Sequence, residues 1–333
     1  MITDCGLFAL PFSRYLYNVK KIAVIDCGTN TFNLLVAEVT REGWSVLFHN
    51  KVAVKLGEGG FEEKIIHPHR FARGLDALLV HKSALDNLEC DQTFAFATSA
   101  LREASNGVDF ITKAKNLFGL DIELISGDRE AELICEGVRS SMELGDEPVC
   151  IMDIGGGSTE FIIANAHEIF WKKSYLLGVS RLNDRIQPSD RVESSQLREL
   201  ESILHHELSD LKEALVLHKV ERLVGSSGSF DTLRVLHFRD AIGDALSELH
   251  ADIPLPAFQS IHQWLLRSSL ADRMKHPAIP SIRAQYMPLA AHLVYFVLGF
   301  HPFTRLTHSA YSLKEGAIQA IISKLEWPET ATA

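Results

Sequence analysis

The stretch "MDIGGGSTEF" (152–161) sets Asp153 ahead of three glycines, two hydroxyls and a second acid, Glu160, directly after the apolar run "PVCI". Glycine tolerates positive φ and lets a ligand come close to the backbone, so consecutive N–H groups can converge on an anion. Gly155, Gly156 and Gly157 supply the bare backbone, and Ser158 and Thr159 add hydroxyl donors. Phosphate is the anion such a turn suits. Two acids beside bound phosphate repel it unless a cation lies between them, so Asp153 and Glu160 imply a hard divalent metal, most simply Mg²⁺.

The pattern occurs twice. Laying "VIDCGTNTFNLLVAEV" (24–39) over "IMDIGGGSTEFIIANA" (151–166) puts Asp26 on Asp153 at an offset of 127 residues. Gly28 then meets Gly155, Thr31 meets Ser158, Ala37 meets Ala164 and Trp44 meets Trp171, all without a gap. Gly28, Thr29, Asn30 and Thr31 therefore offer phosphate the same chemistry from another side, and Asp26 joins the candidate metal-binding acids.

The elements that must position these residues follow from the same alignment. Each copy reads as a strand ending in an acid, a tight turn and a second apolar strand, that is, a β-hairpin with an exposed tip. Each is followed by more strand-like sequence ("WSVLFHN"; "EIFWKKSYLLG") and then by helical stretches. The two hairpins are expected to face each other across a cleft.

Composition limits the alternatives. The 333 residues suggest about two domains, and 46% hydrophobic with 23% charged residues fits sizeable cores. A formal net charge of −10 argues against nucleic acid or an anionic membrane as partner. The longest apolar run, "YMPLAAHLVYFVLGF" (286–300), is too short to span a bilayer and reads as a buried helix. The opening residues 1–18 carry an apolar patch without a preceding basic residue or a clear cleavage site, and read as an extension rather than a signal. Five cysteines without CxxC spacing suit a reducing cytoplasm better than a disulfide framework or a zinc site. Cys27 alternates inward with Ile25 and reads as a small core residue, not a nucleophile.

The two glycine motifs resemble those of the duplicated actin-like superfamily (sugar kinases, actin and ATPase chaperones). The fuller match is to its exopolyphosphatase and guanosine pentaphosphate phosphohydrolase (Ppx/GppA) family. "FATSALREASNG" (96–107), "IELISGDREAELICEGV" (122–138) and "HSAYSLKEGAI" (308–318) resemble further family segments in order, so the likeness runs from about residue 21 to 320. It implies duplicated actin-like (ribonuclease H-like) α/β domains. Domain I would be 20–126 plus 304–333, and domain II 127–303.

The resemblance also implies roles. In "ISGDREAELICEGV", Leu133, Ile134 and Val138 are spaced for a helix beginning near Asp128, which places Glu130 in the first turn, where the helix dipole favours its charge. By resemblance, Glu130 orients or deprotonates an attacking water. Arg102, in "TSALREA", lies in a segment the family places beside the site and is a candidate substrate contact; Lys55, Arg283 and Lys314 are weaker ones. The implied reaction is Mg²⁺-dependent hydrolysis of a terminal phosphoanhydride, with polyphosphate or guanosine pentaphosphate as substrate, by a cytoplasmic protein for which a homodimer is compatible. A kinase of the same superfamily and a non-catalytic phosphate- or nucleotide-binding homologue are the alternatives. "LVGSSGSFDTL" (223–233) departs from the family's glycine-threonine turn, which weakens a nucleotide reading, and "SLKEG" has lysine where relatives carry arginine. The length matches the short, two-domain form of the family.

Overall fold

The computed structural model describes residues 19–238 and 248–325; the opening extension lies outside the described residues. Two mixed sheets carry the molecule. The first holds β1 (Lys20–Cys27), β2 (Thr31–Val39), β3 (Trp44–Ala53), β4 (Gln92–Ala97) and β5 (Ile122–Leu124) in the order β3-β2-β1-β4-β5. The second holds β6 (Val149–Ile154), β7 (Thr159–Ala164), β8 (Ile169–Tyr175), β9 (Arg222–Ser226), β10 (His250–Asp252) and β11 (Arg305–Ser309) in the order β10-β11-β9-β6-β7-β8. Both expected hairpins are present, as β1–β2 and β6–β7, with Asp26 opposite Asn33 and Asp153 opposite Glu160. Even the irregularities repeat. The third strand of each meander slips register at Val36/Ala37 and, 127 residues on, at Ile163/Ala164.

The central strands are apolar on both faces because both faces are covered, so "KIAVI" and "VCIM" read as continuous hydrophobic runs rather than alternating ones. Alternation still decides where each side chain goes. Ala23, Ile25 and Cys27 enter the core beneath the first sheet's own helices, whereas Ile22 and Val24 face the space between the sheets. Cys150, Met152 and Ile154 enter the second sheet's core, whereas Val149 and Ile151 face the first sheet's half. Asp26 and Asp153 have the parity of the inter-sheet residues. So do Asn33 and Glu160, which share it with Leu35 and Ile162.

Two helices fill the space between the sheets. Gly127–Ser141 buries Leu133, Ile134 and Val138, and Leu313–Ile322 buries Ala317 and Ile318, in one core shared with strands of both sheets. Ser126 caps the first of them by accepting a hydrogen bond from the Arg129 N–H at 3.1 Å, so the helix starts at Gly127. The long apolar segment is the buried helix Met287–Phe300, and no helix among the described residues is long and apolar enough to cross a membrane. One boundary differs from expectation. The chain does not return to the first half at residue 304, because Arg305–Ser309 forms β11, paired with β9 and β10 in the second sheet. The return comes after Ser309, with the helix Leu313–Ile322.

The two central helices touch through glycine. A Cβ on Gly316 would lie 1.7 Å from the Leu133 carbonyl oxygen, and one on Gly137 would lie 2.0 Å from that of Ser312. Backbone cannot yield as a flexible side chain can. Gly316→Ala should lower stability by about 1–3 kcal/mol or more, as overpacking does. Urea unfolding checks this, and a midpoint equal to wild type would show that the helices are not in fixed contact.

Candidate active site

The two hairpin turns meet over a cleft of about 170 Å³. Its wall includes Asp26, Gly28, Thr29, Asn30, Thr31, Glu130, Asp153, Gly155, Gly156, Gly157 and Ser158, which is most of the set expected from sequence. The amides of Gly28 and Gly155 close their turns onto the carbonyls of Thr31 and Ser158, at 3.2 and 3.0 Å. Contacts between the halves bring the turns together: Ser180 Oγ donates to Asn30 Oδ1 at 2.8 Å, and the Gly59 amide donates to Asp184 Oδ2 at 2.7 Å.

The glycines act differently from the expectation. Gly28, Gly155, Gly156 and Gly157 are not among the residues at positive φ, so freedom of space, not of dihedral, is what they contribute. A Cβ on Gly156 would meet Asn30 Nδ2 at 2.8 Å and Thr29 Cβ at 2.9 Å, and one on Gly157 would meet Ser99 Oγ at 2.5 Å and Thr29 Oγ1 at 2.7 Å. Bare backbone in the second turn is thus required by the side chains of the first.

Four carboxylates gather here, Glu130, Asp153 and Glu160 buried and Asp26 partly so. Asp153 accepts hydrogen bonds through Oδ2 from Ser226 Oγ at 2.7 Å and from Ser312 Oγ. Glu160 accepts from Ser174 Oγ at 2.6 Å and is also hydrogen-bonded by Ser158. Asp26 accepts from Asn33 Nδ2 at 2.9 Å. Glu130, only 7% exposed, accepts from Arg102 Nη1 at 3.0 Å. Burial disfavours the charged form of each. Desolvation raises Asp26 to about 6, although Asn33 and Lys314 oppose it. Desolvation and then the neighbouring Asp153 raise Glu160 to about 7. Glu130 is pushed well above the ordinary carboxylate range by burial first and Glu160 second, against the pull of Arg102. Asp153 is raised by burial, with Ser312 and Ser226 opposing.

Three expected residues are placed otherwise. Thr159 has the parity of Phe161 and Ile163 and points into the second sheet's core, where its hydroxyl donates to the Leu177 carbonyl at 3.0 Å rather than reaching the cleft. Glu160 is 1% exposed and lies behind the wall, beside Asp153. Arg102 turns its guanidinium onto Glu130 and, at 3.0 Å, onto the Ile125 carbonyl, so it holds the acid rather than lining the cleft. Asp26, Asp153 and Glu160 do not form a tight cage either; among the described residues no three acidic, histidine or cysteine side chains converge on one point as a ready metal site.

Of the weaker basic candidates, Arg283 and Lys314 reach the cleft, Lys55 instead pairs with Glu58 at 3.1 Å, and Lys51 is a cation the sequence reading missed. Lys51 of β3, Arg283 and Lys314 all line the cleft. Burial first, then Arg283, lowers Lys51 to about 8. Lys314 is partly buried, which disfavours its charge, but Glu315, at 2.7 Å, with Asp231 and Asp26 more than offsets this and holds its pKa above the usual lysine value. Arg283 donates to Thr232 Oγ1 at 3.0 Å and reaches Asp231 at 3.4 Å, while His308 Nε2 sits 3.0 Å from the other Asp231 oxygen. Lys51 carried no motif; only its pairing opposite Asn33, the residue paired in turn with Asp26, brings it here.

Comparison with known proteins follows the same geometry. A model of the Ppx/GppA phosphatase family matches residues 35–325. The crystal structure of an exopolyphosphatase from Cytophaga hutchinsonii superposes with a TM-score of 0.89 at 33% identity, covering 92% of this chain and 99% of that one. A Ppx/GppA family member from Aquifex aeolicus, at 21% identity, shares the fold with a TM-score of 0.77 over 92% of this chain and 100% of that one. A protein of Haemophilus influenzae, provisionally named an exopolyphosphatase, is 29% identical over 219 residues, or 65% of this chain and 67% of its own. With family segments matched along most of its length and an actin-like pair of domains closing on the cleft, the chain belongs to the Ppx/GppA phosphatase family.

Proposed function

We propose that the protein is an exopolyphosphatase, hydrolysing the terminal phosphoanhydride of inorganic polyphosphate, with guanosine pentaphosphate as the second substrate of the same chemistry. The observation that carries this reading is Glu130: a buried acid, held by Arg102, on the wall of a cleft formed by two facing phosphate-type turns. Simple phosphate binding has no use for a buried, oriented acid with a raised pKa. The names of the Cytophaga and Haemophilus proteins agree with the substrate class.

The turns at 28–31 and 155–158 would hold the terminal phosphoryl group, with Thr29, Thr31 and Ser158 adding hydroxyls. Water attacks phosphorus in line; its proton passes to Glu130 as the new O–P bond forms, and the anhydride P–O bond breaks so that the shortened chain leaves as the anion. Burial and then Glu160 raise Glu130 above the ordinary carboxylate range, which makes it a stronger base than an exposed carboxylate. Arg102 keeps its ionised form aimed. Lys51, Arg283 and Lys314 are placed to take charge building on the leaving chain, the electrostatic contribution that dominates phosphoryl transfer.

The carboxylates fit a divalent cation. Asp26, Asp153 and Glu160 lie close enough for Asp153 to raise the other two, a repulsion that a cation would relieve, and Mg²⁺ is commonly held by one or two carboxylates, waters and substrate phosphate. Asp26, Asp153 and Glu160 would hold it, directly or through water. Bound there, it would neutralise charge on the phosphoryl oxygens.

The test is phosphate release, in the presence of Mg²⁺, from long-chain polyphosphate and from guanosine pentaphosphate, with wild type beside Glu130→Gln. Wild type should release phosphate, polyphosphate should be preferred, and the variant should be slower by roughly 10²-fold or more. No release from either substrate, with phosphate binding intact, would leave a binding protein. The acids also predict a pH effect. Because folding raises the pKa of Glu160 from 4.5 to about 7, its contribution is present below 4.5 and is lost as pH rises through about 7. In metal-free buffer Glu160→Gln should therefore gain stability over wild type between pH 5 and 8, on the order of 2–3 kcal/mol. A difference independent of pH in thermal melts would mean that Glu160 is not protonated by burial.

A further inference from the structure

Ser99 is 1% exposed, lines the cleft, and its Oγ has no hydrogen-bond partner among the described residues. A buried hydroxyl left unpaired is destabilising, so native proteins seldom keep one without a use for it. The neighbours of Ser99 show where it points. A Cβ built on Gly157 would lie 2.5 Å from Ser99 Oγ and 2.7 Å from Thr29 Oγ1, so two hydroxyls from the first half converge on the bare turn of the second. Its place in the chain is equally informative. Ser99 opens the short helix Ser99–Glu103, and three residues on, one helical turn later, Arg102 of the same helix donates to Glu130 at 3.0 Å. One rigid turn therefore ties an unsatisfied donor in the cleft to the side chain that orients the acid.

We propose that Ser99 is a phosphoryl-binding residue, its Oγ–H donating to a non-bridging oxygen of the phosphoryl group held between the turns 28–31 and 155–158. This rests on the reading of the cleft as a phosphoanhydride hydrolase site and adds a ligand to it. Ser99 satisfies its hydroxyl only when that group is present. As a hydroxyl aimed where charge grows during transfer, it acts more on the transition state than on the bound substrate. Gly157 is the matching requirement from the other half, since any side chain there would displace Ser99 and Thr29 together.

The experiment compares wild type with Ser99→Ala by three readouts: steady-state phosphate release from polyphosphate, calorimetric titration with inorganic phosphate, and the melting temperature without ligand. The variant should lose roughly 10²-fold in kcat with a smaller change in KM. It should bind inorganic phosphate about 10-fold more weakly, the loss of one hydrogen bond to a charged group. Its ligand-free melting temperature should equal or exceed that of wild type, because an unpaired buried donor has been removed. Phosphate affinity and kcat both within about twofold of wild type would overturn the assignment, being far short of one lost donor. So would a lowered melting temperature with unchanged phosphate affinity, which marks a packing role. Should wild type release no phosphate from any substrate, the hydrolase reading falls, and the phosphate titration alone still decides whether Ser99 is a ligand.

Discussion

Crowding of carboxylates around one cleft is the constraint around which the rest of this molecule is arranged. Asp26, Asp153, Glu160 and Glu130 are all largely withdrawn from water, and each is raised by burial and further by a neighbouring acid. An isolated buried charge is among the costliest features a fold can carry. Here every acid has a partner drawn from a different element: Asn33 from β2, Ser226 and Ser312 from the second half and its exit, Ser174 from β8, Arg102 from the helix after β4. Lys51, Arg283 and Lys314 line the same cleft and add positive charge, Lys314 and Lys51 acting directly on Asp26. Acids and bases are thus interleaved around one cleft, and the basic groups temper the charge that burial makes costly.

Strand parity explains how the acids come to share one space. In each hairpin the acid occupies a position whose side chain leaves the sheet on the inter-sheet face, with Val24 or Ile151 two residues before it. A one-residue shift would send the acid into an apolar core instead. The same rule removes Thr159 from the site. It neighbours Glu160 and reads in sequence as a phosphate donor, yet odd parity turns it toward Phe161 and Ile163. Where the copies differ is also informative. Asn33 stands where the second copy has Glu160, so one half presents a neutral donor to its aspartate and the other a second acid. Negative charge is concentrated on the second half, beside Glu130.

What could be read in the sequence was what repeats or follows a local period. The offset between the motifs points to both hairpins, their turns and both aspartates, and the structure adds a register slip shared by the copies, since duplicated backbone preserves hydrogen-bond pattern. The helix carrying Glu130 was legible from Leu133, Ile134 and Val138, and its start was missed by one residue because Ser126, the cap, precedes the acidic run. Residues brought in by long-range pairing were not legible. Lys51 reaches the cleft only through the pairing of β3 with β2, and Arg305–Ser309 belongs to the second sheet through β9 and β10, partners far away in sequence. Ser99 sat inside a recognised segment, but the arginine drew attention because charge is visible in sequence and an unpaired hydroxyl is not.

The glycines of the second turn show how duplication and function constrain each other. Thr29 and Asn30 occupy the same places in their turn as Gly156 and Gly157 in theirs, and in the folded chain these equivalent residues face one another. Where these like positions meet there is room for one set of side chains and not for two. A symmetric pair of bulky turns would hold the cleft apart, and a symmetric pair of glycine turns would leave a gap with fewer donors. The sequence resolves this asymmetrically. The first half contributes the side chains of Thr29 and Asn30, with Ser99 beside them, and the second half contributes backbone. Replacing Gly156 would therefore act chiefly on how closely the halves approach, since its missing Cβ is the space that Asn30 Nδ2 fills. A turn that in sequence reads as a phosphate cradle is, in the fold, first a fitting for its own twin.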